Sequence, residues 1–385
     1  MKILSFSYCF PSAANPTWGL FVYQRLKALA RREELQVCSP QPWFPLLKSS
    51  ADSKQEDVLS GLEVYRPRFF YFPGVLKDSD AWFYCRGMQN WLGSFIGNWA
   101  PDVLDAHFVL PDGVAIAGLA RRFGIPYVIT LRGKIYEFLK SASQTRQAAR
   151  ALKGATAVIS VSSRMAEEAL KLGADKDRLH VIPNGVNREQ FLPRDKDECR
   201  RLLSLPVQGR LLVTVAHLGH RKGHHEVIQA LPGLPEDVSL VIVGGAAQGG
   251  TAEELQSVAR QSGVESRVIL PGAQPYDRIP FYFAAADASV LASYREGCPN
   301  AVLESLACGT PVIATDVGAV PDILPVPAAG RIVPPQQVAP LRKAIAEVLD
   351  ADWDTATVVR ESGVRSWDDV AADVQTVMRK VLSAY

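Results

Sequence analysis

Several features that would assign a protein to a special class are missing from this sequence. No apolar run approaches the roughly 20 residues that a membrane-spanning helix needs. The six cysteines are scattered without a CxxC pair, which argues against a disulfide framework and against a thiolate zinc site. A net charge of +2 creates no field that would favour nucleic acid as a partner, so any anion site must be local.

The first residues also lack the composition of a secretion signal. The stretch MKILSFSYCFPSAANP has one lysine and a short apolar run that Pro11 interrupts, which fits a buried first strand. We therefore expect a cytoplasmic protein. At 385 residues the chain is too long for one ordinary hydrophobic core, which predicts two domains.

Short apolar, β-branched segments alternate with longer amphipathic segments, as is typical of parallel βαβ units. The alternation includes DVLDAHF and PYVITL, and it restarts near residue 210 with RLLVTVAHL and SLVIVGG. The predicted fold class is α/β, with two doubly wound Rossmann-like domains facing across a cleft.

The hinge between these domains is predicted where Pro183, Asn184 and Gly185 break regular structure. This gives domains at 1–187 and 188–365. The final helix, at about 366–385, carries a stripe of valines and is expected to pack back on the first domain.

The stretch SYREGCPNAVLESLACGTPVIATD places two acids beside a helix start. Pro299 and Asn300 begin the predicted helix and Gly309 ends it. Glu304 lies inside it among apolar neighbours, so its carboxylate needs partners, which a ligand with paired hydroxyls would supply. Glu296 lies at the exit of the preceding strand, where open parallel sheets bind ligands. A solvated loop position for Glu296 and a surface position for Glu304 are equally consistent with the spacing.

The segment HLGHRKGHH holds four of the six histidines and two cations. His224 and His225 are adjacent and would point about 100° apart on a helix, so they converge poorly on a metal. Arg221 and Lys222 would repel a metal cation, but they suit the oxygens of a diphosphate beside a helix start. We therefore predict an anion site there, with no metal and no cofactor.

The segment EGCPNAVLESLACGTPVIATDVGAVPDIL resembles the signature of the family-four retaining glycosyltransferases of GT-B architecture, whose glutamates are separated by seven residues, as Glu296 and Glu304 are. Further similar segments follow in order along almost the whole chain: TWGLFVYQRLKALA, DAHFVLPDG, VISVSSRM, VIPNGVNREQF and RKGHHEVIQAL. The resemblance implies an enzyme that moves a hexose-type sugar, with retention and without a metal, from a nucleotide-diphosphate donor. The donor expected is a UDP-sugar, and the acceptor a glycan or lipid-linked molecule.

The resemblance also implies roles for individual residues. Glu304 would hold the ribose hydroxyls and Glu296 would contact the donor sugar. The sugar and its phosphates would be lined by the backbone amides of this segment, which are those of Gly297, Cys298, Pro299, Asn300 and Ala301.

Two further donor contacts are implied near the histidines. Lys222 matches the diphosphate-binding lysine of the family, with Arg221 beside it. His217 stands where relatives often have arginine, so donor affinity is expected to weaken between about pH 6 and 8 as an imidazolium loses its proton.

Three residues of the first domain are candidate site residues. His107 lies at a strand end, where it can hydrogen-bond a hydroxyl, and the resemblance implies contact with the donor sugar near the reacting carbon. A satisfied histidine that closes the strand is the alternative. Gly19 opens a helix and its backbone can approach a phosphate, or it simply begins the helix. Arg132, with Lys134, could bind a phosphate or carboxylate of the acceptor, or belong to a solvated loop.

Other interpretations remain open at this stage. The aromatic residues from Phe69 to Trp99 favour a core layer, with peripheral contact at the inner face of the membrane as the alternative. A nucleotide-sugar epimerase of the same fold would need no acceptor. The stretch VGGAAQGG resembles the phosphate loop of a dinucleotide-dependent oxidoreductase but does not fit GxGxxG.

Overall fold

The computed structural model of the chain describes residues 1–45, 56–59, 61–133, 135, 141–247 and 249–383. The chain divides into two compact units, Met1–Asn184 with Trp367–Tyr385, and Gly185–Ser366. The first change of unit therefore falls within the Pro-Asn-Gly segment, three residues before the predicted limit at 187.

The first unit is built on parallel strands. Its strands are β1 (Lys2–Phe6), β2 (Glu34–Cys38), β3 (Gln41–Trp43), β4 (Glu56–Leu59), β5 (Leu62–Tyr65), β6 (Arg68–Phe70), β7 (Val103–His107), β8 (Tyr127–Leu131), β9 (Ala157–Ser160) and β10 (Leu179–Val181). Within the described residues, eight of them form one sheet in the order β10-β9-β8-β7-β1-β2-β5-β4, while β3 pairs with β6. Among the described strands of the large sheet, only the β4–β5 pair is antiparallel. The sequence YVITL of β8 is buried throughout, as expected for a strand covered on both faces.

The helices of the first unit connect these strands. They are α1 (Leu20–Ala30), α2 (Asp80–Asn98), α3 (Val114–Phe123), α4 (Ala142–Gly154) and α5 (Ser163–Lys171). The aromatic segment predicted as a core layer is divided in the structure. Tyr84 is fully buried, whereas Trp82 is 61% exposed, so the segment supplies both core and surface.

The second unit contains a fully parallel six-stranded sheet. Its strands are β11 (Arg210–Val215), β12 (Val238–Val243), β13 (Val268–Gly272), β14 (Ala288–Leu291), β15 (Val312–Thr315) and β16 (Gly330–Val333). Its helices are α6 (Lys196–Leu202), α7 (His224–Ala230), α8 (Ala252–Gln261), α9 (Ile279–Ala285), α10 (Asn300–Ala307), α11 (Val320–Ile323), α12 (Val338–Asp350) and α13 (Thr355–Ser362). The strand order is β13-β12-β11-β14-β15-β16, which is that of a Rossmann sheet.

Each sheet has a point at which the strand order reverses. In the second unit this point lies between β11 and β14, and in the first unit it lies between β1 and β7. The connections that leave the two central strands there diverge to opposite sides, which opens a crevice at the carboxyl ends of the strands.

The final helix, α14 (Trp367–Ser383), belongs to the first unit. Its apolar stripe joins the hydrophobic cluster that contains Val22, Leu26 and Leu29 of α1. Glu33 accepts hydrogen bonds from Gln375 and Arg379 and so anchors the helix at its polar edge. Among the described residues, no helix is long and apolar enough to cross a membrane.

Removing side-chain volume from α14 should destabilise the first unit. Met378 is fully buried, so Met378→Ala leaves a cavity and should lower the free energy of unfolding by about 2–5 kcal/mol. Denaturant unfolding measures the change, and Lys380→Ala on the exposed side of the same helix is the control. Equal stabilities of the two variants would contradict the packing of α14 described above.

Candidate functional site

Two of the predicted donor residues of the second unit meet at its strand-order reversal. Lys222 follows β11 and Glu296 follows β14, and the Lys222 Nζ lies 2.6 Å from the Glu296 Oε1. Both side chains are mostly buried, at 14% and 13% exposure, so water screens this ion pair only partly. The structure thus joins two residues that are 74 positions apart in sequence.

The backbone around this ion pair is closely packed. Gly223 has φ +70°, and a Cβ there would lie 2.0 Å from the Ala292 carbonyl oxygen, so only glycine fits. The Tyr294 amide donates to the Arg221 carbonyl at 2.8 Å, and the Tyr294 hydroxyl hydrogen-bonds the Glu226 carboxylate. The segment after β11 and the segment after β14 therefore hold each other in place.

Glu304 lies on α10, a helix that the sequence predicted correctly. Gly309, with φ +77°, follows its end, and Pro299 precedes its first residue. Glu304 is buried, and this burial raises the pKa of its carboxyl to about 7. The surface alternative for Glu304 is therefore wrong.

Glu304 has a partner that the sequence did not reveal. The Tyr276 hydroxyl donates to the Glu304 Oε1 at 2.9 Å, which opposes the rise of the carboxyl pKa. Tyr276 lies beyond the end of β13, so it reaches the same sheet edge from a third strand. This hydrogen bond orients the carboxylate and leaves the Glu304 Oε2 as a second acceptor.

A turn at Gly318 and Ala319 packs against the segment between the two glutamates. The Ala319 amide donates to the Gly297 carbonyl at 2.8 Å, and Gly318 packs so closely that a Cβ would lie 2.5 Å from the Glu296 and Gly297 oxygens. Gly297, Cys298, Asn300 and Ala301 are half-buried. Pro299 is buried and has no N–H, so it cannot be one of the predicted amide donors.

His217 belongs to the same region but differs from its predicted electrostatic state. Its Nδ1 accepts a hydrogen bond from the Gly219 amide at 3.2 Å. Partial burial, followed by the charges of Lys222 and Arg221, lowers the pKa of His217 below its ordinary value. The loss of charge is therefore displaced to lower pH than for an ordinary histidine, towards the acidic end of the predicted window.

The remaining histidines of the segment are engaged in packing. The His224 Nε2 donates to the His217 carbonyl at 3.1 Å, and burial lowers the pKa of His224 to about 4. The His225 Nε2 lies 3.3 Å from Glu254 instead. In the part of the chain that the structure describes, no group of three or more His, Cys, Asp or Glu side chains is arranged to hold a metal ion.

The glycine-rich stretch after β12 has a packing explanation. A Cβ on Gly244 would lie 1.9 Å from the Ala216 oxygen, and one on Gly250 would lie 1.7 Å from the Leu218 oxygen. These glycines allow close approach of the backbone after β11, which accounts for the stretch without a dinucleotide.

In the first unit, Gly19 and His107 lie beside the reversal between β1 and β7. Gly19 has φ +75° and is buried, and a Cβ there would lie 2.2 Å from the Cys9 oxygen. The glycine is thus required by the backbone that leads into α1. Its predicted approach to a phosphate stays a prediction.

His107 is fully buried within a polar network. Its Nδ1 accepts from the Arg132 Nε at 3.1 Å, and its Nε2 lies 3.0 Å from the Asp105 Oδ2 and 3.1 Å from the Ser5 Oγ. Burial lowers the pKa of His107 to about 4, so the ring is neutral at pH 7. A sugar hydroxyl could reach either nitrogen only by replacing one of these contacts.

Arg132 extends the network towards the end of the first unit. Its Nη1 donates to the Asn184 Oδ1 at 3.0 Å, and its guanidinium lies 5.1 Å from the centre of the Phe21 ring. Arg132 is 5% exposed, so the solvated-loop alternative is wrong for this residue. Its predicted contact with the acceptor stays a prediction, and Lys134 lies outside the described residues.

Comparisons with known proteins cover both units. The family model described as Glycosyltransferase Family 4 matches residues 19–190, and the model described as Glycosyl transferases group 1 matches residues 195–363. A Bacillus subtilis (strain 168) protein assigned as the teichuronic acid biosynthesis glycosyltransferase TuaC is 32% identical over 83% of this chain and 82% of its own. The D-inositol 3-phosphate glycosyltransferase of Xylanimonas cellulosilytica is 30% identical over 78% of this chain and 75% of its own.

Solved structures show the same fold. Sucrose-phosphate synthase from Thermosynechococcus elongatus has a TM-score of 0.83 at 20% identity and full coverage of both chains. HepE of Anabaena in complex with UDP has a TM-score of 0.77 at 18% identity, covering 99% of this chain and 100% of its own. With two Rossmann-like units and relatives at 30–32% identity along most of its length, the chain belongs to the family 4 (group 1) glycosyltransferases of GT-B architecture.

Proposed function

We propose that this glycosyltransferase moves a hexose-type sugar from a UDP-sugar to a glycan or lipid-linked acceptor, with retention and without a metal ion. The observation that carries the proposal is the Lys222–Glu296 ion pair at the strand-order reversal of the second unit, with the buried Glu304 on the helix that begins four residues after Glu296. A UDP donor is further supported by the structurally similar HepE, which has been solved with UDP and with UDP-glucose.

The leaving group of such a transfer is a nucleoside diphosphate, whose charge must be stabilised as the glycosidic bond breaks. The Lys222 ammonium is already held in position by Glu296, so little reorganisation is needed when phosphate oxygens approach. The Arg221 guanidinium and the amides of Gly297, Cys298, Asn300 and Ala301 are the further donors that we assign to the diphosphate.

Glu296 has a second role in this proposal. Its carboxylate pairs with Lys222 through Oε1, so the remaining lone pairs can accept hydrogen bonds from the donor sugar. Positive charge that develops at the anomeric carbon would also be favoured near this carboxylate.

The acceptor must lose a proton during the transfer. We assign that proton to an oxygen of the diphosphate, which departs from the same face of the donor sugar that the acceptor oxygen attacks in a retaining transfer. His107 is neutral at pH 7 and both of its ring nitrogens are engaged, so we do not assign it as the base.

A thermal-shift screen tests the donor class directly. UDP should raise the melting temperature more than GDP does, and EDTA should leave the increase unchanged, because Lys222 and backbone amides replace a metal. Stabilisation by GDP alone would reject the uridine assignment, and loss of the UDP effect with EDTA would reject metal independence.

Glu304→Gln should weaken UDP binding without unfolding the protein. Loss of the charged acceptor for two ribose hydroxyls should weaken UDP binding by about 10- to 100-fold in calorimetry. The protein should stay folded and become more stable at pH 8, because a carboxyl whose pKa burial raises from 4.5 to about 7 loses stability as pH rises through that interval, and the loss is complete at pH 8. Glu347→Gln, on an exposed face of α12, is the control, and unchanged UDP binding by Glu304→Gln would remove Glu304 from the site.

Tyr276→Phe should move the pH dependence of donor binding. Ribose hydroxyls donate to an ionised carboxylate, so UDP affinity should fall as pH decreases through the Glu304 pKa of about 7. Without the Tyr276 hydroxyl this pKa should rise, which moves the affinity profile upward by about one pH unit. Tyr282→Phe on the neighbouring α9 should leave the profile in place, and identical profiles for both variants would contradict the positioning role of Tyr276.

A further inference from the structure

The first unit contains a cavity of about 440 Å³ whose wall does not include Arg132, the residue predicted to bind the acceptor. Its wall includes the aromatic rings of Tyr8, Phe69 and Tyr71, together with Leu110. Tyr8 follows β1 and Leu110 follows β7, so the cavity lies at the strand-order reversal of this sheet. Its size and apolar wall are those of a site for a small molecule.

The aromatic wall is fixed by the surrounding protein. The Phe69 ring stacks on Tyr84 at 5.0 Å, with 20° between the ring planes. The Tyr84 hydroxyl donates to the Asp112 Oδ1 at 3.0 Å, and the same oxygen accepts from the Tyr8 amide at 3.1 Å. The cavity therefore does not depend on a bound molecule to align its rings, which lowers the entropic cost of binding.

Polar groups line another part of the cavity wall. They are supplied by Lys77, Asp78, Asp80 and Gln144. The Lys77 Nζ pairs with the Asp80 Oδ2 at 3.0 Å and lies 5.0 Å from the centre of the Tyr71 ring. The Asp78 Oδ1 accepts from the Ser141 hydroxyl at 2.9 Å.

The charges of this wall indicate which ligands fit. One cation and two carboxylates leave a net charge of −1, and the cation is already paired within the wall. A phosphate or carboxylate would meet this negative charge, whereas hydroxyl and ammonium groups can donate to it.

We propose that this cavity binds a ring of the acceptor, a sugar or cyclitol that is uncharged or carries an amine. The apolar face of such a ring packs on Tyr71 and Phe69, and its hydroxyl or amine groups donate to Asp78. The inference rests on the proposed glycosyl transfer. It differs from the prediction for Arg132 and Lys134, which would select an anionic acceptor.

Saturation-transfer NMR on the full chain, with UDP present, tests the cavity with three probes: methyl glucoside, glucosamine and glucose 6-phosphate. Methyl glucoside or glucosamine should bind, and glucose 6-phosphate should bind more weakly than either. Tyr71→Ala should weaken that binding about three- to tenfold by removing a stacking surface, while UDP affinity stays unchanged. Trp82→Ala, an exposed aromatic residue of α2 that is not in the cavity wall, is the matched control.

Asp78→Asn supplies a readout that a purely structural role would not produce. The amide oxygen can still accept from Ser141, but the wall becomes neutral, so binding of glucose 6-phosphate relative to glucosamine should increase several-fold.

Three results would overturn the inference: no saturation transfer to any probe, equal binding by the Tyr71 and Trp82 variants, or glucose 6-phosphate as the tightest probe. Failure of the proposed function would appear separately, as an absence of UDP binding in the unaltered protein.

Discussion

The reversal of strand order in each sheet is the constraint on which the candidate site depends. At every other position of a parallel sheet, successive connections leave the same face of the sheet and crowd each other. Beside β11 and β14 they diverge, and the residues that follow these strands can face a ligand. Lys222, Glu296 and the segment before α10 reach one place because the chain has this topology, although they are distant in sequence.

The segments beside this crevice pack backbone against backbone. Gly223 and Gly318 fill positions where a methyl group would collide with a carbonyl oxygen. The role of these glycines is geometric. Electrostatic interactions of the nearby charged side chains are strong only where the surrounding segments exclude water and keep a fixed position. The Lys222–Glu296 ion pair therefore depends on the close packing at these two glycines.

Much of this could be predicted from sequence because the signals are local. The apolar run around Glu304, the proline before the helix and the glycine after it predict the bounds of α10 from residues adjacent in sequence. The partnership with Tyr276 could not be predicted, since it depends on which strand lies beside β12. The same applies to His217, whose lowered pKa arises from burial and from neighbouring cations that only the folded chain assembles.

His107 shows a different limit of sequence interpretation. A histidine at a strand end can face solvent or the interior, and the motif around it is the same in both cases. Here Asp105, Ser5 and Arg132 surround the ring, and burial keeps it neutral. The aromatic segment was ambiguous for a similar reason, because one stretch of chain supplies a core residue, Tyr84, and a surface residue, Trp82.

The return of α14 to the first unit has a consequence for synthesis of the chain. Residues of the first unit occur both before position 185 and after position 366, whereas the second unit is continuous. During translation the second unit therefore leaves the ribosome whole before Trp367 and Met378 are available to cover α1. The apolar residues of α1 that α14 covers therefore stay exposed for longer during synthesis than the core of the second unit.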